Sequence, residues 1–418
     1  MATTKSMPEF EFCEGCLWIT DALATMWLRA WPNPEANEKN HQGEWRPFRP
    51  EFRLVQPESP AELTAHDYDH RRLACDSTDG LDAPTAASKQ AAYASLRKSL
   101  LPSHAALLEP FTGYQWNMLP LLHERPLFSD LLQANPVLAW CVANNDLFRK
   151  LSARSPAFQA RWHLHKKQRE LLDWLGFPGG EPAVKLFKKF TPALASPRPL
   201  HLLQAALADG AQSIRQLAHV PRINWGALYL ATDPRLRDHV TPGLLTEVAA
   251  QPTEETESQL AGMMMDALNV QKQIDPWSPC QSLPSIAALV RFHDRIVFEF
   301  NNRPPGFVTP SAPYPPPPLR GNSSVVPVTT AADLRKEGRE QGNCVAIFEA
   351  AVQAGHRYFY RVLKPERATL CIMPGNSGDW HISELRKKGN KAVKPVTWLH
   401  AYKWLQWAKA DNERPTQC

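Results

Sequence analysis

The stretch RYFYRVLKPERATLCIMPGNSGDWHISEL, residues 357–385, decides the fold of the C-terminal part of the chain. It contains three short runs rich in aromatic and β-branched residues, separated by proline and glycine, which is the pattern of antiparallel strands joined by turns. The predicted strands are 357–363, 368–373 and 380–385. Helical patterns at 331–352 and 396–408 flank them, so the sequence predicts a two-layer domain of helix, antiparallel strands and helix.

Upstream of this domain the composition of the chain changes twice. Apolar residues at helical spacing dominate residues 91–302, and the pattern at residues 158–177 predicts one amphipathic helix. Eight prolines fall within residues 303–324, which predicts an extended, semi-rigid linker. Residues 1–90 are punctuated by proline and glycine, which predicts an irregular region. The predicted fold class is α+β, with a mainly α-helical N-terminal and middle region and a small C-terminal domain at 325–418.

The overall composition bounds the class of protein. Of the 418 residues, 43% are hydrophobic, and the 14 Trp and 17 Phe are enough to form a buried core, so wholesale disorder is excluded. No stretch of about 18 apolar residues is present, and the N-terminus does not resemble a secretory signal. We therefore expect a cytoplasmic protein with no membrane association and with its eight cysteines as free thiols. Phosphate-binding loops and common hydrolase motifs are missing, which disfavours nucleotide-driven motors and those hydrolases.

Positive charge is concentrated at the C-terminal end. Residues 331–418 contain 15 Lys and Arg against 9 Asp and Glu, a net charge of +6, whereas the whole chain carries +5. This asymmetry predicts an anionic partner such as DNA or RNA, and the alternative is a solvated basic surface.

Several basic residues of this region are candidate nucleic-acid contacts. Two arginines lie six residues apart across the predicted turn at 365–367, so they are expected on one face of a hairpin. Beside Tyr358 and Tyr360 they would suit phosphate binding with base stacking, and the alternative is ion pairs with Glu337 and Glu384. A basic run follows the third strand. The candidate contacts are Arg361, Arg367, Arg386, Lys387, Lys388 and Lys391.

Cys344 is a candidate nucleophile. A cysteine becomes nucleophilic when a neighbouring base accepts its proton, and His356 and His381 lie in the same predicted domain. This arrangement would define a thiol- or metal-dependent enzyme. The alternative is that Cys344 is a buried core residue, since free cysteines are often buried.

The N-terminal region contains half of a tetrahedral zinc site. The motif Cys-Glu-Gly-Cys at 13–16 supplies two thiolates, and two histidines and a third cysteine downstream would complete the site. The alternative is two free thiols. The candidate zinc ligands are Cys13, Cys16, His66, His70 and Cys75.

The C-terminal domain resembles the bacterial PcfJ-like family. The resemblance is carried by PPPPLRG at 315–321, VVPVTTAADLRKEGREQGNCV at 325–345, YFYRVLKPERATLCI at 358–372, and the Trp-x-Ile-x-Glu-Leu motif followed by Gly-Asn. With KKQRELLDWLGFPG at 166–179, it extends over roughly residues 150–410. The residues that carry its motifs are Glu337, Gly338, Asn343, Trp380, Glu384 and Asn390. Gly342 stands where family members often have a histidine.

The resemblance implies a bacterial protein linked to mobile DNA, because the family is named for a protein encoded in a conjugative plasmid transfer region. It implies no particular catalytic activity. The leading hypothesis is a nucleic-acid-binding accessory factor of a mobile genetic element, whose partners are DNA or RNA and other proteins of a mobile-element-encoded complex. The alternatives are the Cys344 enzyme and a protein–protein adaptor that uses the Trp-rich closing helix.

Overall fold

The structure is a computed structural model that describes residues 8–20, 25–31, 33–39, 42–56, 83–149, 155–208, 212–251, 254–277, 282–302, 314–375 and 379–412. The fold of these residues is α+β, as predicted, with two antiparallel sheets of five strands each. The chain divides into an N-terminal unit, Met1–Ala261 with Gln281–Ile286, and a C-terminal unit, Gly262–Cys280 with Ala287–Cys418.

A five-stranded meander opens the N-terminal unit. Its strands, in sheet order, are β1 Glu9–Cys13, β2 Cys16–Thr20, β3 Thr25–Arg29, β4 Glu35–Lys39 and β5 Trp45–Pro47. Glu14 and Gly15 have φ values of 50° and 77°, which is the geometry of a tight hairpin turn and favours glycine at the second position. The apolar residues that alternate along the strands are buried, and they include Phe10, Leu17, Ile19, Leu28 and Ala36.

This sheet corrects the prediction that residues 1–90 are irregular. The strands contain five residues or fewer, and tryptophans and charged residues occupy the face opposite the core, so the alternation of apolar and polar residues is short and weak. Residues 57–82 lie outside the described residues.

Most of the other described residues of the N-terminal unit lie in helices. They are α1 Ala83–Ser99, α2 Pro102–Leu108, α3 Met118–Glu124, α4 Pro126–Ala134, α5 Pro136–Ala143, α6 Pro156–His163, α7 Gln168–Trp174, α8 Glu181–Phe187, α9 Pro197–Ala208, α10 Gln212–Leu217, α11 Trp225–Thr232 and α12 Pro242–Ala249, followed by the first turns of α13 Glu254–Ile274. The predicted single helix at 158–177 is wrong. The chain is extended at Lys167, with ψ of 149°, and His163 stacks on Trp174 with ring centroids 4.1 Å apart, so two helices fold back on each other.

The C-terminal unit is a second sheet between helices. Its elements after α13 are α14 Ile286–Asn301, β6 Val325–Pro327, α15 Ala331–Gln341, α16 Glu349–Gln353, β7 Tyr358–Val362, β8 Ala368–Pro374, β9 Trp380–Lys387, β10 Lys391–Ala392 and α17 Pro395–Asn412. The sheet order is β10-β9-β8-β7-β6 and each pair is antiparallel. One face packs on α17 through a core that includes Tyr360, Leu370, Leu385 and Trp404. The other packs on the α15–α16 segment through a core that includes Leu334, Val345, Phe359 and Cys371.

The predicted helix 331–352 is interrupted. Gly342 adopts the left-handed φ of 58°, and its backbone N–H donates to the Gly338 carbonyl, which closes α15. A short 3-10 helix, Val345–Phe348, and then α16 follow.

The predicted linker and domain boundary also differ from the structure. Residues 303–313 lie outside the described residues, but Leu319 is buried in the core and its carbonyl accepts a 2.9 Å hydrogen bond from Tyr360 Oη. Asn301 Nδ2 donates to the Asn343 carbonyl at 3.0 Å, so α14 belongs to the C-terminal unit. That unit therefore begins upstream of residue 325.

Among the described helices, none combines the length and the apolar composition that crossing a bilayer requires.

Candidate nucleic-acid interface

Four lysines gather at the edge of the C-terminal sheet, beside α17. Lys387 pairs with Lys391 across β9 and β10, and it also pairs with Ala368 across β9 and β8. Ala368 belongs to the core beneath α17, so both lysines project from the sheet face that carries this helix. Lys388 follows Lys387 directly, and Lys394 precedes the first residue of α17. We refer to Lys387, Lys388, Lys391 and Lys394 as the lysine cluster.

The lysine cluster carries a net positive charge. Cβ atoms of directly opposed residues in a sheet lie about 5 Å apart, and like charges in such pairs are destabilising. None of the four lysines forms an ion pair with a residue that the structure describes. One carboxylate, Glu366, lies among them, and the pKa of Glu366 is lowered by the backbone N–H of Lys394 and by the charges of Lys387 and Lys394. One carboxylate among four ammonium groups leaves the local charge positive.

The two predicted phosphate-binding arginines have a different role. Arg361 Nε donates to Glu337 Oε2 at 3.2 Å, and Arg367 Nη2 donates to the same oxygen. Glu337 is fully buried, and its other oxygen accepts a 2.5 Å hydrogen bond from Thr369 Oγ1. Arg361 also binds Asp333 Oδ1 at 2.9 Å. The two arginines share one face of the hairpin, as predicted. They form ion pairs inside the domain, which is the alternative to phosphate binding.

The predicted stacking role of the hairpin tyrosines is also wrong. Tyr358 and Tyr360 are 7% and 0% exposed, and they lie in the core beneath α17. Arg361 pairs with Thr369, on the opposite sheet face, because side chains alternate along a strand. The tyrosine rings and the arginines therefore cannot act on one ligand.

A small cavity lies on the sheet face that carries α15. Its volume is about 20 Å³, which is enough for about one ordered water molecule. Its lining comes from α13, the α15–α16 segment, and β7 to β9 with the turn that follows them. The polar side chains that line it are Asp266, Asn343, Thr369, Glu384, Arg386 and Asn390, together with the thiol of Cys344. We refer to it as the Cys344 cavity.

Cys344 does not have the environment of a nucleophile. Its thiol donates to Asp266 Oδ2 at 3.5 Å, and burial together with the carboxylates of Asp266 and Glu384 raises the pKa of this thiol well above its ordinary value. His356 and His381 are exposed, and neither lines the Cys344 cavity. The predicted cysteine–histidine pair is therefore not assembled, and the core-packing alternative describes Cys344 better.

Asp266 is the site residue that the sequence could not reveal. Burial and the nearby Glu384 raise the pKa of its carboxyl to about 6. It lies 78 residues before Cys344 in the chain, on a helix with no motif around it. Only the packing of α13 against the α15–α16 segment brings the two together.

Three of the residues that carry the sequence resemblance converge on this region from separate segments. Asn343, Glu384 and Asn390 line the Cys344 cavity, and Asn390, with a left-handed φ of 54°, approaches His293 Nε2 at 3.4 Å. Arg386, a predicted phosphate contact, also lines the cavity and pairs with Glu384 at 3.3 Å. These side chains therefore form a packed polar centre.

The other residues that carry the resemblance have structural roles. Thr369 joins Glu337 to Asn343, because Asn343 Nδ2 donates to Thr369 Oγ1 at 3.2 Å. A Cβ at Gly338 would lie 2.9 Å from Asn301 Oδ1, so only glycine fits there without a shift. Trp380 packs edge-on against a core tyrosine with ring centroids 5.4 Å apart.

The predicted zinc site is only partly described. Cys13 and Cys16 pair with each other across the β1–β2 hairpin, and both are free thiols. His66, His70 and Cys75 lie outside the described residues. No group of three or more metal-binding side chains is found among the residues that are described.

No protein-family model, curated protein or solved structure matches the chain.

Proposed function

We propose that this chain is a bacterial PcfJ-like protein that binds nucleic acid as an accessory factor of a mobile genetic element. The sequence resemblance supports the family and the link to mobile DNA, and the composition supports a cytoplasmic location. The mode of binding follows from the lysine cluster, which replaces the arginine pair of the hairpin as the proposed contact surface.

The observation that carries this proposal is the direct opposition of Lys387 and Lys391. Like charges on directly opposed residues cost free energy in the isolated protein, and a bound phosphate would offset that cost. Lys388 and Lys394 extend the positive surface on either side, and phosphate contacts supply most of the affinity of proteins for nucleic acid. The thiol enzyme is not favoured, because the pKa of Cys344 is raised.

The proposal is tested by measuring the affinity of the full chain for labelled DNA and RNA over a series of salt concentrations. A double variant, Lys387→Gln with Lys391→Gln, should bind more weakly. Its plot of log affinity against log salt should be shallower than that of the parent protein, by about 2 in slope, because each of the two lysines would otherwise neutralise about one phosphate. Lys272→Gln is the matched control, because Lys272 is an exposed lysine on α13 of the same unit.

The control variant should bind as the parent protein does. Binding that is absent at low salt, or a double variant that behaves like the control, would show that the lysine cluster is only a solvated surface.

A further inference from the structure

The closing helix α17 exposes aromatic side chains that its own packing does not need. Its buried positions are Thr397, Ala401, Trp404, Leu405 and Ala408. The polar group of Trp404 is satisfied inside the protein, because its Nε1 donates to the Arg320 carbonyl at 3.2 Å. Trp398 and Tyr402 instead remain 43% and 53% exposed. An amphipathic helix normally presents polar residues on its outer face, so the exposure of these two rings indicates a binding surface.

Two contacts define which flank of α17 carries these rings. Lys409 Nζ binds Asp379, the residue before β9, at 2.9 Å. On the other flank, Trp404 binds the Arg320 carbonyl, ahead of β6. Trp398, Tyr402 and Lys409 are spaced four and seven residues apart and so form one stripe of the helix. The rings of Trp398 and Tyr402 therefore lie on the flank that faces β9 and β10.

This flank is the one beside the lysine cluster. Lys387 and Lys391 project from the sheet face that carries α17, and Lys394 lies one turn before Trp398. The rings of Trp398 and Tyr402 are offset by about 6 Å along the helix axis, since each residue rises 1.5 Å. A basic edge next to two exposed rings is the arrangement that proteins use for single strands, with phosphates on the cations and bases on the rings.

Resting on the proposed function, we infer that the nucleic acid is single-stranded and that two of its bases stack on Trp398 and Tyr402 while its phosphates contact the lysine cluster. A duplex holds its bases paired and stacked inside, so it cannot offer their faces to these rings. A single strand can, and stacking tolerates any base because every base has a π face. Binding is therefore expected to depend little on sequence.

The test compares a single-stranded oligonucleotide with the duplex of the same sequence, using the full chain. The double variant Trp398→Ala with Tyr402→Ala should lose at least about tenfold in affinity for the single strand. Its salt slope should be that of the parent protein, because aromatic rings contact no phosphate. Trp398→Phe with Tyr402→Phe should retain most of the affinity.

Trp277→Ala is the matched control, because Trp277 belongs to the same unit and is 91% exposed. It should bind the single strand as the parent protein does, and the parent should prefer the single strand to the duplex.

The outcomes separate this inference from the proposed function. If the lysine variant loses affinity but the aromatic double variant does not, or if duplex binds as tightly as single strand, the stacking inference is wrong and nucleic-acid binding stands. If neither the single strand nor the duplex binds to the parent protein, both the proposed function and the stacking inference are wrong. If the aromatic variant keeps its affinity for nucleic acid and instead loses a stoichiometric protein partner, α17 is a protein-docking helix and the stacking inference is wrong.

Discussion

At Asp266 a carboxyl group is held in an environment that disfavours its charge. Burial, with the carboxylate of Glu384 nearby, raises its pKa to about 6 from an ordinary value of 3.8. Between those two pH values the folded protein binds a proton that the unfolded chain does not. The free energy of unfolding therefore falls as the pH rises from about 4 to about 6, and the penalty is fully present above that range.

Replacing this carboxyl group by an amide should stabilise the protein at neutral pH. We expect Asp266→Asn to raise the free energy of unfolding by about 2 kcal/mol near pH 7.5, within the roughly 3 kcal/mol that a two-unit shift represents, and to have little effect near pH 4. Urea denaturation at both pH values measures this. Glu299→Gln, a half-exposed carboxylate of α14, is the control and should change little at either pH. An equal gain at both pH values would contradict the assignment.

At the residue scale the sequence predicts which side chains are charged better than it predicts which groups they contact. For Arg361 and Arg367 it allows both phosphate contacts and internal ion pairs, because sequence alone does not show where a buried carboxylate will lie. The burial of Glu337 decides between them. Asp266 has no such clue, because its partner lies 78 residues away in the chain.

At the scale of the element, replacing each of two helix glycines by alanine should change the stability of the protein in opposite directions. A Cβ at Gly262, in α13, would have no atom within 4 Å, whereas a Cβ at Gly338, in α15, would lie 2.9 Å from Asn301 Oδ1 and 3.3 Å from the Asn343 carbonyl. Gly262→Ala should therefore stabilise the protein by about 0.5–1 kcal/mol, the difference in helix propensity. Gly338→Ala should destabilise it by at least about 1 kcal/mol, because Asn301 is itself hydrogen-bonded and cannot retreat freely.

Chemical denaturation of the two glycine variants checks this pair of signs. If both alanine variants were stabilised, helix propensity alone would govern both positions, and the close approach of α14 to α15 would have no energetic weight.

The central strands of the C-terminal sheet and its closing helix are predicted well from the sequence. The three predicted strands correspond to β7, β8 and β9, and the predicted helix at 396–408 lies within α17. Several elements of five residues or fewer are missed, because too few side chains are present to establish a period. The meander β1–β5 and the two-residue β10 are of this kind, although β10 brings Lys391 opposite Lys387.

At the scale of the whole molecule the C-terminal unit requires residues from before the proline-rich segment. A fragment of residues 325–418 would lose Asn301, which binds the Asn343 carbonyl, and Leu319, which binds Tyr360. It would also leave Cys344 without Asp266. We expect this fragment to lack a cooperative thermal transition, whereas residues 254–418 should unfold cooperatively.

Circular dichroism and the dispersion of amide NMR signals distinguish the two fragments. A fragment of residues 325–418 that unfolds at the same temperature as 254–418 would show that α13 and α14 are not part of the folding unit. The sequence places the boundary at the prolines because composition changes there. The contacts that cross it are single hydrogen bonds and buried side chains, which leave no compositional trace.

The hydrogen-bonded chain from Glu337 through Thr369 to Asn343 and Asn301 has a consequence for related proteins. Each member satisfies a polar group of the next, so a change at one position leaves its neighbour buried without a partner. Homologous sequences should therefore substitute these four positions jointly, and the position of Gly338 should admit a larger residue only where that of Asn301 has become smaller. Covariation among them would be the evolutionary signature of this packed polar centre.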